Sequence, residues 1–367
     1  MNIPLSAPDI NQAEIDAVTE VLRTSRLSLG PKLEAFEHAI AQYIGIPHAI
    51  GVSSGTAGLH LCIRALNIGE GDEVIVPSFT FIAAANAIRY ERATPIFIDI
   101  DPATLNLDPA KIESAITPRT RAILAIHTFG VPADMHAILE IAQRHRLLVI
   151  EDASEAIGAE YHGRRVGCFA DAAVFAFYPN KQITTGEGGM VVAPSAPLAR
   201  RIRALRNQGR HEGDEWHSEL GYNYRLPEIN CALGIEQLKR IEIILAARAG
   251  VARAYNDRLQ LEPLILPPLE LPHVRISWFV YVVRLRPECN RRQRDAVIQS
   301  LTAQGIGCAR YFAPIHLQPA YAAWKNAALP VTESESARTI ALPFFNAITI
   351  DQQDRVSEAL SRELRRL

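Results

Sequence analysis

The residues of this 367-residue chain that could do chemistry are a lysine, a cluster of acids, a hydroxyl and an aromatic ring, each beside an apolar run. Lys181 sits in AVFAFYPNKQITTGEGGMVV (173–192), between apolar stretches 173–178 and 190–192 that read as two strands. Pro179 stops the first strand, and Gly186, Gly188 and Gly189 permit the tight return to the second. A loop lysine is ordinarily a solvated charge. Held between strands and partly desolvated, its amine instead loses basicity and can attack a carbonyl to form a Schiff base. Glu151, Asp152 and Glu155 crowd the end of another apolar run, in EDASEAIGA. Carboxylates half-withdrawn from water need a partner, which is either a helix N-terminus or a protonated ring nitrogen. In SSGTAGLHL, Gly55 and Thr56 open a helix whose free N–H groups and hydroxyl suit an anion such as phosphate, although a plain helix cap has the same sequence. In PSFTFIAAAN, Phe81 either lies on a planar ligand or lines the core.

The elements that must position these groups follow from hydrophobic periodicity. Residues 11–25 and 31–45 carry apolar positions at helical spacing. From His48 onward, short apolar strands at 49–52, 74–76, 96–98, 122–126 and 147–150 alternate with helical segments at 57–66, 82–90 and 135–144. Strands apolar on both faces with helices between them predict an α/β fold: a mostly parallel sheet covered by helices, with ligands at the carboxyl ends of its strands. A long helix is expected over 228–257. The Pro-rich stretch 262–272 then leads to a strand at 277–285 and helices at 291–304 and 351–364 in a smaller second domain.

Composition narrows the function classes. With 48% hydrophobic and 21% charged residues the chain is an ordinary globular protein. A net charge of −2, from 38 basic and 40 acidic side chains, gives no field to draw it to nucleic acid or an anionic membrane. Cys62, Cys168, Cys231, Cys289 and Cys308 form no CxxC pair, which argues against disulfide frameworks, zinc knuckles and iron–sulfur clusters and fits a reducing cytoplasm; no metal is expected. The opening MNIPLSAPDINQAEID has neither the basic nor the apolar region of a secretory signal, and no run approaches a membrane span.

A phosphate-binding helix start, an aromatic for a planar ring, a carboxylate for a ring nitrogen and a lysine for an aldehyde together are what pyridoxal 5'-phosphate requires of a protein. The segments SSGTAGLHL, GDEVIVPSFTFIAAANAI, EDASEAIGAEYHGRRVG, FYPNKQITTGEGGMVV, GYNYRLPEINCALG and RYFAPIHLQPAY, in this order and spanning most of the chain, resemble the DegT/DnrJ/EryC1/StrS family of nucleotide-sugar aminotransferases. The resemblance implies the aspartate aminotransferase fold, with a large cofactor-binding domain (1–245) and a small C-terminal α+β domain (246–367). Within the family the chain most resembles perosamine-type members, which aminate C4 of a nucleotide-linked 4-keto-6-deoxyhexose with L-glutamate, for cell-surface polysaccharide. The cofactor then alternates between its pyridoxal and pyridoxamine phosphate forms.

The resemblance also implies residue roles. Lys181 binds the cofactor covalently and shuttles protons, Asp152 pairs with the ring nitrogen, Phe81 and Ser154 flank the ring, and Glu155 lies near the ring hydroxyl. Thr56, with the backbone of Gly55 and Ala57, holds the phosphate. Ala176 departs from the serine that many relatives place there, at a cost of roughly 0.5 to 1.5 kcal/mol unless another donor substitutes. Asn223 and Arg225 of GYNYR are expected to reach a neighbouring subunit's site, on the cofactor phosphate and an anionic substrate, so a homodimer with shared sites is expected. Ser28, Gly30, Tyr311 and His316 are expected near the sugar or its diphosphate, and His127 to support the core or pocket rather than catalyse. Competing readings are amination at C3, a dehydratase of the same family, another pyridoxal phosphate reaction and a non-enzymatic regulatory relative. Lys181 stands against the dehydratases, which carry histidine there, and against the regulator. The cysteines offer no obvious mobile-loop thiol for a desulfurase.

Overall fold

The computed structural model describes residues 2–211, 213, 215–260, 262–324 and 327–367. Its strands are β1 (His48–Val52), β2 (Glu73–Pro77), β3 (Thr94–Ile98), β4 (Thr120–Ile126), β5 (Leu148–Asp152), β6 (Glu160–Tyr161), β7 (Arg164–Arg165), β8 (Ala172–Ala176), β9 (Gly189–Ala193), β10 (Leu264–Ile265), β11 (Val274–Arg275), β12 (Tyr281–Leu285) and β13 (Thr339–Leu342). Its α-helices are α1 (Gln12–Leu22), α2 (Pro31–Ile44), α3 (Gly55–Ala65), α4 (Ala83–Tyr90), α5 (Ile112–Ala115), α6 (Met135–His145), α7 (Ala196–Arg206), α8 (Glu228–Lys239), α9 (Ile241–Leu259), α10 (Arg291–Ala303), α11 (Pro330–Arg338) and α12 (Ile350–Leu364).

A seven-stranded sheet runs in the order β1-β9-β8-β5-β4-β2-β3. Only β9 runs against the rest, because it pairs antiparallel with both β1 and β8 while the remaining pairs are parallel. Apolar side chains fill both faces, as in Val174 and Val191 on one and Phe175 and Val192 on the other, so the sheet is sandwiched between helical layers. The two strands expected around Lys181 are therefore direct neighbours, and the loop that joins them carries the lysine. No helix among the described residues is long and apolar enough to cross a membrane.

Local sequence explains the helix starts. Asn11 and Glu14 cap α1 reciprocally. Gly30 has no side chain to cap α2, and the buried carboxylate of Glu228 does so instead, accepting the N–H groups of Gly30, Lys32 and Leu33 at 3.1, 2.8 and 2.8 Å. The single helix expected over 228–257 is two, α8 and α9, with non-helical backbone at Arg240, whose guanidinium bonds Glu14 and the Asp9 carbonyl.

A second core surrounds a three-stranded sheet, β10-β12-β13, with α10 and α12. Helix α9 serves both cores: Ile241, Ile244 and Leu245 pack with Phe36 and Phe175, whereas Val251, Ala252, Tyr255 and Leu259 pack with Tyr281 and Leu342. The strand expected over 277–285 begins only at Tyr281. Its missing half is tied elsewhere: the buried Arg248 of α9 donates to the carbonyls of Trp278 and Phe279 at 2.6 and 2.7 Å, and Ser277 bonds Gly130 and Gln182.

Candidate active site

The carboxyl ends of β1, β2, β4 and β5 and the loop after β8 open onto one cavity of about 460 Å³. Of the residues singled out in the sequence, Gly55, Thr56, Phe81, Asp152, Ser154, Glu155, Lys181 and Tyr311 line it, and so does Ala176.

Each arrives for a traceable reason. Strand β5 extends to Asp152, so Glu151 and Asp152 point to opposite faces. Glu151 is fully buried and wholly structural: its oxygens accept the N–H groups of Gly167, Phe169 and Ala170 and lie 3.0 Å from His127 Nε2. His127 Nδ1 accepts the Ala133 N–H, which assigns the ring proton to Nε2 and makes His127 a donor to Glu151. His127 thus supports the core, as expected. Asp152 receives the Ser154 N–H at 3.0 Å on one oxygen, and burial pushes its pKa above the ordinary carboxylate value against the pull of Ser154 and Lys181. A buried carboxylate so thinly bonded suits a cationic ring N–H.

Lys181 lies 3.6 Å from Glu155 Oε1 and 3.9 Å from the centre of the Phe279 ring. Burial pulls its amine below the ordinary lysine range, and Glu155 and Asp152 oppose that. Burial likewise pushes Glu155 up, against Lys181 and the Phe129 N–H that Glu155 Oε2 accepts at 2.9 Å. The next residue, Gln182, fastens the loop: its amide nitrogen donates to the carbonyls of Glu155 and Ser277 at 2.6 and 3.0 Å and to the Ser277 hydroxyl at 2.9 Å.

At the other end of the cavity, α3 presents its N-terminus. Ser54 caps the helix by accepting the Ala57 N–H at 3.0 Å, and that corrects one expectation: the Ala57 amide is spent, and Ala57 is not in the lining. Gly55 and Thr56 keep their N–H groups for an anion. Gly55 must lack a side chain, since a Cβ there would come within 2.8 Å of Ala176 Cβ. Phe81, 62% exposed, offers an open ring face at the mouth. A thinly bonded buried acid, a desolvated amine, a free ring face and a helix start thus fit pyridoxal phosphate residue for residue.

The structure places the remaining expected residues outside this cavity's lining. His316 is fully buried, 2.7 Å from the Ser78 hydroxyl through Nδ1 and 3.4 Å from Glu333 through Nε2, so its ring braces the Ser78 loop and does not line the cavity. Gly30 is taken up by the Glu228 cap, and a Cβ there would meet that carboxylate at 2.6 Å. Ser28 pairs through its backbone with Pro227 and stands exposed outside the lining. Asn223 and Arg225 also lie outside this chain's own cavity. Asn223 pairs with Asn207 and is exposed, and Arg225 donates to the Asn207 side chain at 3.0 Å. Within the loop leading to them, Glu212 and Asp214 lie outside the described residues. The lining also includes residues that sequence reasoning missed, above all Tyr178, Asn180, Phe279 and Phe312. Tyr178 and Asn180 flank the lysine and were legible by proximity. Phe279 was read only as strand, and nothing local marked it.

Comparison with known proteins agrees with this arrangement. Residues 8–361 match the DegT/DnrJ/EryC1/StrS aminotransferase family. The chain belongs to that family. It is 43% identical over 366 residues, 99% of this chain and 98% of the other, to GDP-perosamine synthase of Caulobacter vibrioides. DesV of S. venezuelae superposes with a TM-score of 0.92 at 37% identity, over 100% of this chain and 99% of that one. Spr1654 of Streptococcus pneumoniae, solved in PLP and PMP forms, gives TM-scores of 0.94 and 0.95 at 26% identity, over 100% of this chain and 99% and 98% of those. As a member, the chain is a PLP-dependent sugar aminotransferase with the fold of these enzymes, the α/β fold expected from its strand pattern.

Proposed function

We propose that the chain moves an amino group from L-glutamate to C4 of a GDP-linked 4-keto-6-deoxyhexose. The observation that carries this reading is the end-to-end likeness to GDP-perosamine synthase, joined to a cavity whose residues suit an aminotransferase. Pyridoxal phosphate, when bound, supplies the electron sink and carries the amino group between the two substrates. The chain supplies the rest. Asp152 keeps the ring nitrogen protonated, Gly55 and Thr56 hold the phosphate by N–H groups and hydroxyl, and Phe81 and Ser154 confine the ring. Glu155 would face the ring hydroxyl from beside Lys181. Lys181, with a basicity lowered by burial, binds the cofactor and afterwards takes up and delivers protons at its Nζ.

Charge supports a shared site. The cavity's ionisable acids are Asp152, Glu155 and Glu187, and Lys181 is the one basic side chain in its lining among the described residues. A nucleoside diphosphate needs cations that this lining lacks. A second copy supplies them in this reading, through the 207–225 segment carrying Asn223 and Arg225, and the working unit is a homodimer in the cytoplasm.

The test is incubation of the purified protein with L-glutamate and a panel of GDP-, UDP- and dTDP-linked 3-keto and 4-keto sugars, read by mass spectrometry. The 4-amino GDP-sugar is expected. Amination at C3, or a deoxygenated product, overturns the assignment, and Lys181→Ala is expected to abolish both turnover and the visible absorbance of the bound cofactor.

A further inference from the structure

Lys181 is released from the cofactor whenever the amino form of the cofactor exists, and something must then hold a flexible, buried amine within reach of the reacting carbon. The structure contains such a holder. Lys181 Nζ lies between Glu155 Oε1, at 3.6 Å, and the face of Phe279, at 3.9 Å from its centre. Both walls are fixed by bonds that involve no cofactor. Glu155 is set by the Phe129 N–H on its other oxygen and by the amide of Gln182 on its carbonyl. Phe279 is 2% exposed, its carbonyl is taken by the buried Arg248, and its ring stacks on Tyr311 at 6.4 Å with planes 5° apart. Ser277, two residues earlier, is bonded to Gln182, which follows Lys181 directly.

We propose that the Glu155 carboxylate and the Phe279 ring form a holding slot for the released Lys181 ammonium, with Phe279 a positioning residue contributed from beyond the sheet. The proposal rests on the reading of Lys181 as the cofactor-bearing lysine. A ring face and a carboxylate both favour the cation, and the surroundings otherwise favour the neutral amine. The slot therefore fixes where the released lysine rests, within reach of the carbon at which it takes up and delivers a proton. The ionisable groups around it are Asp152 from β5, Glu155, and the Tyr311 phenol beside Glu155; His127 is bonded to Glu151 behind the strand.

The test uses the full-length chain freed of cofactor. The rate at which it takes up added pyridoxal phosphate, followed by visible absorbance, reports the fraction of Lys181 present as free amine. Removing either wall weakens the hold on the cation, so the rate–pH profile moves to lower pH. Phe279→Leu is expected to take up cofactor about three- to tenfold faster on the acidic limb, with the alkaline plateau unchanged. Glu155→Gln shifts the profile in the same direction. Phe279→Tyr retains the ring and is expected to restore the parent profile, which a packing role alone does not require. A Phe279→Leu profile that superimposes on the parent, or moves to higher pH, overturns the slot while leaving Lys181 as cofactor lysine. A parent chain that takes up no cofactor overturns both.

Discussion

Gly189 is where the sheet touches the anion-binding helix, and adding one methyl group there tests the cradle directly. A Cβ at Gly189 would come 2.6 Å from Ser54 C, 2.7 Å from Ser54 O and 2.8 Å from Gly55 N. All three are backbone atoms at the N-cap of α3, so no side chain can swing aside. Relief requires the helix start to move away from β9 by several tenths of an ångström. Overpacking of this kind costs roughly 1 to 3 kcal/mol of stability. The consequence for binding is separable, because the atoms displaced are those that present the Gly55 and Thr56 N–H groups. A charge-assisted hydrogen bond is worth about 1.5 to 3 kcal/mol, so losing one weakens cofactor binding roughly ten- to hundredfold. The assay is titration of cofactor-free Gly189→Ala with pyridoxal phosphate, with thermal unfolding recorded with and without the cofactor. A folded variant that binds within twofold of the parent refutes the helix start as the phosphate site.

Three further outcomes are expected. Gly250 lies in the interior of α9 with nothing within 4 Å of a Cβ, so Gly250→Ala is expected to stabilise the chain by about 0.5 to 1 kcal/mol in a denaturant titration. His316→Ala removes the ring nitrogen from the buried Ser78 hydroxyl, which keeps only the backbone N–H of residue 316, and opens a cavity, so a loss of about 2 to 4 kcal/mol is expected without a change in sugar KM; a raised KM at unchanged stability would return His316 to the sugar. Burial pushes Glu14 up, but Gln237, the Asn11 N–H and Arg240 outweigh it and leave its pKa below the ordinary glutamate value. Its contribution is therefore present above pH ~4.3 and lost as pH falls through the lower folded value. The stability difference between parent and Glu14→Gln should shrink on acidification, as unfolding titrations across that range would show.

What the sequence revealed and what it hid follow from the range of the interactions involved. Lys181, Asp152, Thr56 and Phe81 were legible because each follows an apolar strand, and strand ends in such a sheet converge. At the α3 cradle the plain helix cap that the sequence also allowed is present, since the Ser54 hydroxyl takes the Ala57 amide. His316 is bonded to Ser78, 238 positions earlier in the chain, a contact that a loop histidine does not announce in the sequence. Phe279 was hidden for a similar reason. Its WFVYVV run has strand character, but the stretch before the paired residues is tied elsewhere, Trp278 and Phe279 to the buried Arg248 and Ser277 to Gly130 and Gln182.

Those long-range ties explain why the site lies where the two cores meet. The sheet alone provides the acids, the helix start and the lysine, but its cavity would be open on the side that Phe279, Tyr311 and Phe312 close. Burial gives the second core stability without fixing its position against Lys181 to within an ångström, because apolar contact is non-directional. Hydrogen bonds are directional, and Gln182 makes three of them to the two sides at once. Its own side-chain oxygen is buried without a partner among the described residues, a cost of about 1 to 3 kcal/mol. Its place beside Lys181 accounts for that tolerance: the amide that joins the halves also sets the distance between the lysine and the ring that faces it.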